Sequence, residues 1–414
     1  MIDIIDSPLH QQWLRNEELR LVDFARRVVR DDDMGAWLVD DGQPDTHRAG
    51  YTYVTGRMAY VHYLAALRGV PGARERAVRL LRGLDTTARD HHHGGWRERH
   101  DDDGSTDKSA YAHSFVVLAS ATGTLAGDPD AKRLLEEVLE VVNDRFWEPD
   151  VGLFADTWSG DWSTRRPYRG LNVNMHLVES MLAATDATGD PEWANRATSV
   201  VRFVLDRAAE NSWRIPEHYD AQWRPALDYH RATPNDQFKP YGATIGHAFE
   251  WARLIVCTPA VSAERSRFVE GARELYARAV TDGWARNGHD GFVYTTDWEG
   301  QPVVTTRLHW VTTEAIGAAA TLARTLDEPR YADEYLRWWG YADHFQIDRD
   351  HGSWHHELTE FNQPTATIWS GKPDLYHAYQ ATLAGQLAPA TSFAAAILSR
   401  TGNEPARADA IASE

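Results

Sequence analysis

The chain has a single cysteine in 414 residues, which excludes an internal disulfide; Cys257, in WARLIVC, is expected to pack as a small hydrophobe. No uninterrupted apolar run approaches the roughly 18 residues that a membrane span needs. The N-terminus MIDIIDSPLHQQW is acidic and has no basic segment followed by an apolar one, so it does not read as a signal peptide. Positive charge is scarce, with 43 Lys and Arg against 61 Asp and Glu, a formal charge of −18. Phosphate backbones are bound by basic surfaces, so nucleic acid is an unsuitable partner. Nothing resembles a phosphate-binding loop, a nucleotide fold or a Ser-His-Asp order. These absences predict a protein of the reducing cytoplasm with neither membrane nor nucleic-acid partner. Apolar residues make up 43% of the chain and aromatics 11%, including 17 tryptophans. That supplies a sizeable core, or surfaces able to stack on the flat apolar face of a sugar.

Most of the chain carries helical periodicity. Ser7-Pro8 reads as an N-cap followed by a first-turn proline, and apolar residues recur at helical spacing from Trp13 to Val29. Further helices are expected near 51–68, 73–88, 109–126, 130–146, 172–188, 192–209, 241–257, 263–282, 309–325, 330–345 and 373–386. The segments between helix pairs resemble one another: MGAWLVDDGQ, HGGWRERHDDDG, VGLFADTWSGDW, NSWRIPEHYDAQW, DGFVYTTDWEGQ and HGSWHHELTEFNQ. Each opens on a breaker, then an aromatic, then a short strand-like run ending in a polar turn. Their first members are Gly35, Gly94, Gly152, Asn211, Gly291 and Gly352, separated by 59, 58, 59, 80 and 61 residues. The long interval implies an insertion within 214–240. Six units, each a helix pair with a small hairpin, form a repeat architecture. An open solenoid ends in atypical caps, whereas the first and sixth units here keep the common signature. The pattern therefore predicts an all-α (α/α)6 barrel spanning residues 1–400 as one catalytic domain, with 401–414 a frayed tail.

The second helix of each repeat, starting just after a hairpin, is expected to be the inner one, and polar residues gather near these starts. They are Arg57; Tyr111 and His113; Asn172, His176 and Glu179; His247 and Glu250; His309, Trp310 and Glu314; Asp374 and His377. Closure would bring them together at one mouth. His113, His176, His247 and His377 read as four histidines in register. His-x-x-Glu occurs twice, at His176/Glu179 and His247/Glu250, and residues three apart share a helix face. A helix N-terminus also favours neutral over charged imidazole at His247. A di-iron carboxylate centre would use the reverse order, Glu-x-x-His, and Arg57 shares the pocket, so no metal is expected. The His-rich run at 90–103 lies on a hairpin and reads as a solvated turn. Two imidazoles can move a proton on and off a carbon beside a carbonyl, glutamates and an arginine can hold an enediolate, and Trp310 and Trp369 can stack on a sugar. Two further readings stay open: a glycosidase using Glu250 and Glu314 as its carboxylates, and a non-catalytic repeat protein that binds a partner.

The motifs TGRM, YRGLNVNMHLVE, EHYDAQWRP, FKPYGATIGHAFEWARL, DGFVYTTDWEG and WSGKPDLYH together resemble the N-acylglucosamine 2-epimerase superfamily, in its branch of bacterial aldose–ketose isomerases. The resemblance covers nearly the whole chain. It implies an (α/α)6 barrel without an essential cofactor, acting on a monosaccharide as a monomer or homodimer. It also implies that His247 and His377 are the acid/base pair, and that Arg57, His176, Glu250 and Glu314 occupy further active-site positions. Asn172, Trp310 and Lys372 carry over as sugar contacts, beside Tyr111 and His113 from the reading above. The implied reaction interconverts D-mannose and D-fructose, with D-lyxose and D-xylulose as a second pair, through a cis-enediol. The alternatives within the superfamily are sugar 2-epimerase and sulfoquinovose isomerase. Arg253, in EWAR, stands where disaccharide 2-epimerases carry Trp, as in the isomerase branch; Lys239, in FKPYG, where sulfoquinovose isomerases carry Arg, and YTYVTGR, where they carry HLWITAR, speak against sulfonate recognition and so favour mannose.

Overall fold

The computed structural model describes residues 4–100, 106–400 and 402. The expected frayed tail at 401–414 therefore falls outside the described residues apart from Gly402, as does the acidic end of the His-rich run. Within that run, His91, His92 and His93 stand exposed on a turn.

Two kinds of helix alternate along the chain. The outer kind comprises α1 (Pro8–Phe24), α3 (Ala73–Gly83), α5 (Pro129–Val141), α7 (Pro191–Glu210), α9 (Ser262–Gly283) and α11 (Pro329–Tyr341). These bury one stripe: in α5 it is Ala131, Leu134, Leu135, Val138 and Leu139, spaced three and four apart. Several begin with an acid followed by proline. Asp128 and Asp190 cap first-turn N–H groups that have no partner inside the helix, and the proline behind each has no N–H to satisfy.

The inner kind comprises α2 (Thr52–Leu67), α4 (Ala110–Leu125), α6 (Leu171–Thr188), α8 (Ile245–Cys257), α10 (His309–Thr325) and α12 (Tyr376–Ala384). These are buried nearly all round; in α10 every residue from His309 to Leu322 is buried. Consecutive inner helices touch, and α12 meets α2, so the ring closes; α1 packs on α12 as the outer member of the sixth pair. This is the (α/α)6 barrel that the repeats predicted. A thirteenth helix, α13 (Phe393–Arg400), which the periodicity did not reveal, lies against α2, α4 and α6.

Hairpins tie the ring together at one end. The two residues before an inner helix pair with the next unit's hairpin: Gly50–Tyr51 with Arg99–His100, Lys108–Ser109 with Thr157–Trp158, Arg169–Gly170 with His218–Tyr219, Ala243–Thr244 with Thr295–Thr296, and Arg307–Leu308 with Glu357–Leu358. The first N–H of each of these helices donates to a hairpin carbonyl, at Glu98, Asp156, Glu217, Tyr294 and His356. Four of these five helices lack a side-chain cap because the neighbouring unit satisfies that orphan donor. In the sixth unit Lys372 N–H donates to Leu38 O at 2.8 Å and seals the circle.

The structure trims two expected helices. Gly242, at φ 91°, and the strand Ala243–Thr244 delay α8 until Ile245. Pro373 keeps the residue before it out of the helical region, and α12 starts at Tyr376. The insertion forms a turn-rich excursion across 220–242 that returns over the barrel mouth.

Candidate active site

Counting from the N–H that bonds the neighbouring hairpin explains which side chains face the barrel axis. Five residues beyond it stand Arg57, Phe115, His176, Glu250, Glu314 and His377, one from each inner helix. They form a belt. The Arg57 guanidinium lies 4.5 Å from the Phe115 ring centroid, and Phe115 is 4.9 Å from the His176 ring. His176 Nδ1 is 3.7 Å from Glu250 Oε1, and His377 Nδ1 is 2.8 Å from Glu314 Oε1. Eight residues beyond the same N–H comes a floor of Tyr60, Leu118, Glu179, Arg253, Gly317 and Gln380. Gln380 Nε2 donates to Glu179 at 2.8 Å and to the Tyr60 hydroxyl at 3.2 Å. One residue beyond it, the upper layer holds Tyr53, Tyr111, Asn172, Gly246, Trp310 and Pro373. Spacings of four and three residues keep all three layers on one helix face.

Above the floor is a cavity walled by Arg57, Tyr111, Asn172, His176, His247, Glu250, Trp310 and His377, with Gln237, Phe238, Tyr294, His309, His356, Trp369 and Asp374 completing it. It opens to a vestibule that shares Tyr111, Asn172 and Phe238. Trp310 separates the two expected acid/base residues, its ring 5.2 Å from His247 and 5.7 Å from His377. Gly246 permits this: a Cβ there would stand 2.2 Å from Trp310 Cζ3.

Each of these histidines has Nδ1 on a buried carboxylate, His247 on Glu217 at 3.0 Å and His377 on Glu314 at 2.8 Å. An ionised carboxylate only accepts, so Nδ1 carries the hydrogen and Nε2 is left for the cavity. Burial, reinforced by the nearby Arg57 charge, holds the His377 imidazole well below its usual range, so it is a neutral base near pH 7. Burial also lowers His176 and His356, and lowers His309 to about 4. Glu250 moves the other way: burial and the neighbouring Glu314 push its carboxyl well above the usual value. Burial alone would raise Asp374, but Arg57, 3.1 Å away, holds it low. Arg57 also donates to the Tyr111 hydroxyl at 2.9 Å. His176 Nδ1 and Glu250 Oε1 are buried without a hydrogen-bond partner. Polar atoms in that condition are available to ligand hydroxyls.

By distance alone, His176, Glu179 and Glu250, or Glu250, Glu314 and His377, could surround a cation. Arg253 lies among the same carboxylates, its guanidinium 3.4 Å from Glu314, 3.8 Å from Glu179 and 4.0 Å from Glu250.

Three expected sugar contacts stand elsewhere. His113 is the fourth residue of α4, two past the inward-facing Tyr111 and so on the far side of the helix. Its Nε2 accepts Trp96 N–H at 3.1 Å and its Nδ1 bonds Ser109 O at 2.7 Å. Thr55 and Asn174, fourth in α2 and α6, likewise accept hairpin N–H groups, from Gly35 and Phe154. His113 is thus a joint between helix and hairpin, and the expected register of four histidines holds only for His176 and His377, since His247 stands two residues past its hairpin-bonded N–H and His113 three. Lys372 is buried against Asp348 at 2.6 Å and Gly352 O at 2.8 Å. Lys108 repeats this clamp on Asp90 and Gly160 O. Glu314 lies behind His377 rather than on the cavity wall.

Sequence reasoning missed Glu217, the wall residues Gln237, Phe238, Tyr294 and His356, and the importance of His309 and Asp374. Glu217 sits in EHYDAQW, where a carboxylate interrupts a strand-like run just where the inner helices receive their hairpin bonds. That was the available signal.

The chain belongs to the N-acylglucosamine 2-epimerase (GlcNAc 2-epimerase) family, whose sequence profile matches residues 35–381. It is therefore an enzyme of the sugar isomerase and epimerase class. It is 42% identical over 398 residues to the D-mannose isomerase of Pseudomonas cannabina pv. alisalensis, covering 94% of this chain and 96% of that one. It is 43% identical over 394 residues to the D-mannose isomerase of Thermobifida fusca, covering 94% and 97%. A crystal structure of D-mannose isomerase superposes with a TM-score of 0.83 at 25% identity, over 92% of this chain and 99% of the other. Among the described residues no helix is long and apolar enough to cross a membrane.

Proposed function

We propose that the protein is an aldose–ketose isomerase interconverting D-mannose and D-fructose, working in the cytoplasm. The observation that carries this is the pair of carboxylate-anchored imidazoles on either side of Trp310, with Arg57 and Glu250 in the same small cavity. The reading extends to this chain the activity named for relatives above 40% identical over most of their length.

In the reaction, His247 assists opening of the pyranose. His377 Nε2 then removes the C2 proton; the C2–H electrons form the C1=C2 bond while O1 takes a proton from His247, giving a cis-enediol. Arg57 and Glu250, both buried, hold its oxygens. His377 returns its proton to C1 on the same face, the O2 proton passes back to His247, and C2 becomes the ketone. Trp310 fixes the sugar face between the two bases, converting the transfer into a positioned unimolecular step.

The test is to incubate purified protein with D-mannose, with and without EDTA, and assay ketose. Fructose at equal rates in both arms is expected. No ketose from mannose, or activity abolished by EDTA and restored by a metal, refutes the reading.

A further inference from the structure

The two histidines share a cavity and a kind of partner, but the partners differ. Glu314 accepts from His377 through one oxygen, and its other lies 3.4 Å from Arg253 Nε, so a fixed cation shares its charge. Glu217 accepts from His247 through Oε1, while Oε2 is buried with no hydrogen-bond partner. Glu217 is only 3% exposed and outside the cavity wall. It lies on the hairpin whose carbonyl takes the first N–H of α6, so the barrel's closure delivers it behind α8.

We infer that Glu217 is a positioning residue whose unshared carboxylate orients His247, Nδ1–H toward the carboxylate and Nε2 toward the sugar, and makes it the proton donor of the pair, while Arg253 shares the carboxylate behind His377. The inference rests on the isomerase reading above and identifies what separates the acid from the base within it.

The surroundings agree. Around Glu217 and His247 stand His218, Tyr168, Tyr219, Tyr294, His176 and Glu314. The His218 ring is occupied by Tyr168 OH at 2.7 Å and Pro240 O at 2.8 Å. The groups facing His377 are Glu314, Asp374, His176, His309 and His356 with Arg57 and Arg253, the last two permanent cations. Glu217 places its carboxylate 3.0 Å from the ring.

The experiment is the pH profile of kcat/KM for mannose isomerisation in wild type, Glu217→Gln and Glu217→Asp. Glutamine accepts the same Nδ1–H, preserving ring orientation, but carries no charge. The alkaline limb of the profile is expected to move to lower pH in E217Q, because the anion behind the donor is gone. kcat should fall at least tenfold with KM within twofold, and E217D should recover part of both. Circular dichroism and a thermal melt establish that each variant is folded. An active wild type whose alkaline limb is unmoved in E217Q, or a loss confined to KM, overturns the inference. A wild type that makes no ketose overturns the isomerase reading instead. If E217Q does not fold, the E217D profile decides: a limb at the wild-type position with unchanged kcat overturns the inference.

Discussion

Replacing Gly246 by alanine adds one methyl where the structure has no space for it. The new Cβ would stand 2.2 Å from Trp310 Cζ3 and 2.8 Å from two further ring atoms. To restore ordinary contact the indole must retreat by more than about 1 Å. Trp310 is itself 9% exposed and closely packed, so the movement cannot be absorbed locally. Overpacking of this kind costs about 1–3 kcal/mol, offset by about 1 kcal/mol from alanine's better helix propensity. The stability change should therefore be small. Activity should suffer more, because the ring that spaces His247 from His377 has moved. A misplacement of about 1 Å costs on the order of 100-fold, or about 2.7 kcal/mol of transition-state stabilisation. The assay is kcat/KM for mannose beside a thermal melt. Gly340→Ala on α11 is the control: nothing lies within 4 Å of its Cβ, and a gain of about 0.5–1 kcal/mol with unchanged activity is expected. Wild-type kcat/KM in G246A would refute the spacer role of Trp310.

Three other outcomes follow from the same geometry. His247→Ala and His377→Ala should each lose about 100- to 10,000-fold in kcat while melting near wild type, and near-normal turnover removes that residue from the mechanism. His113→Ala should lose about 3 kcal/mol in urea unfolding, since two buried hydrogen bonds and the packing of an imidazole go together, yet keep kcat within about twofold; a selective loss of activity would return His113 to the site. Burial lowers His62 and His113 to about 4 from an unfolded value near 6.5, so between those values the unfolded chain binds more protons. Each contributes stability at pH 7 that is lost as pH falls through that window, up to about 3 kcal/mol apiece. The raised Glu179, Glu250 and Glu314 oppose this in part. Urea midpoints should fall from pH 7 to about pH 5, and a flat profile would contradict the assignment.

Much of this was legible before any coordinates. The regular return of glycine, aromatic and polar turn fixed six units, and the sixth retaining the signature of the first pointed to closure. Given closure, residues near the starts of the inner helices had to converge, and Arg57, His176, His247, Glu250, Trp310 and His377 do line one cavity. What periodicity could not supply was helical phase to within a residue or two. His113 and Tyr111 are two apart, and only the position of the hairpin bond on Ala110 decides which faces the axis. Lys372 was misread for a different reason: its Asp348 partner lies 24 residues away on a hairpin, a pairing set by tertiary structure. Glu217 was hidden in the same way, since it stands on a hairpin 30 residues before the histidine it serves. The insertion announced itself as an 80-residue interval, yet nothing in its sequence indicates that Gln237 and Phe238 return to wall the site.

The most direct measurement is proton NMR of D-mannose turned over in D2O. If two imidazoles on different inner helices meet across one hexose, the product is fructose, with whatever deuterium exchanges onto His377 entering only at C1, and H377A leaves the mannose C2 proton in place. Glucose deuterated at C2 as the main product, or fructose from H377A at close to the wild-type rate, would contradict the account.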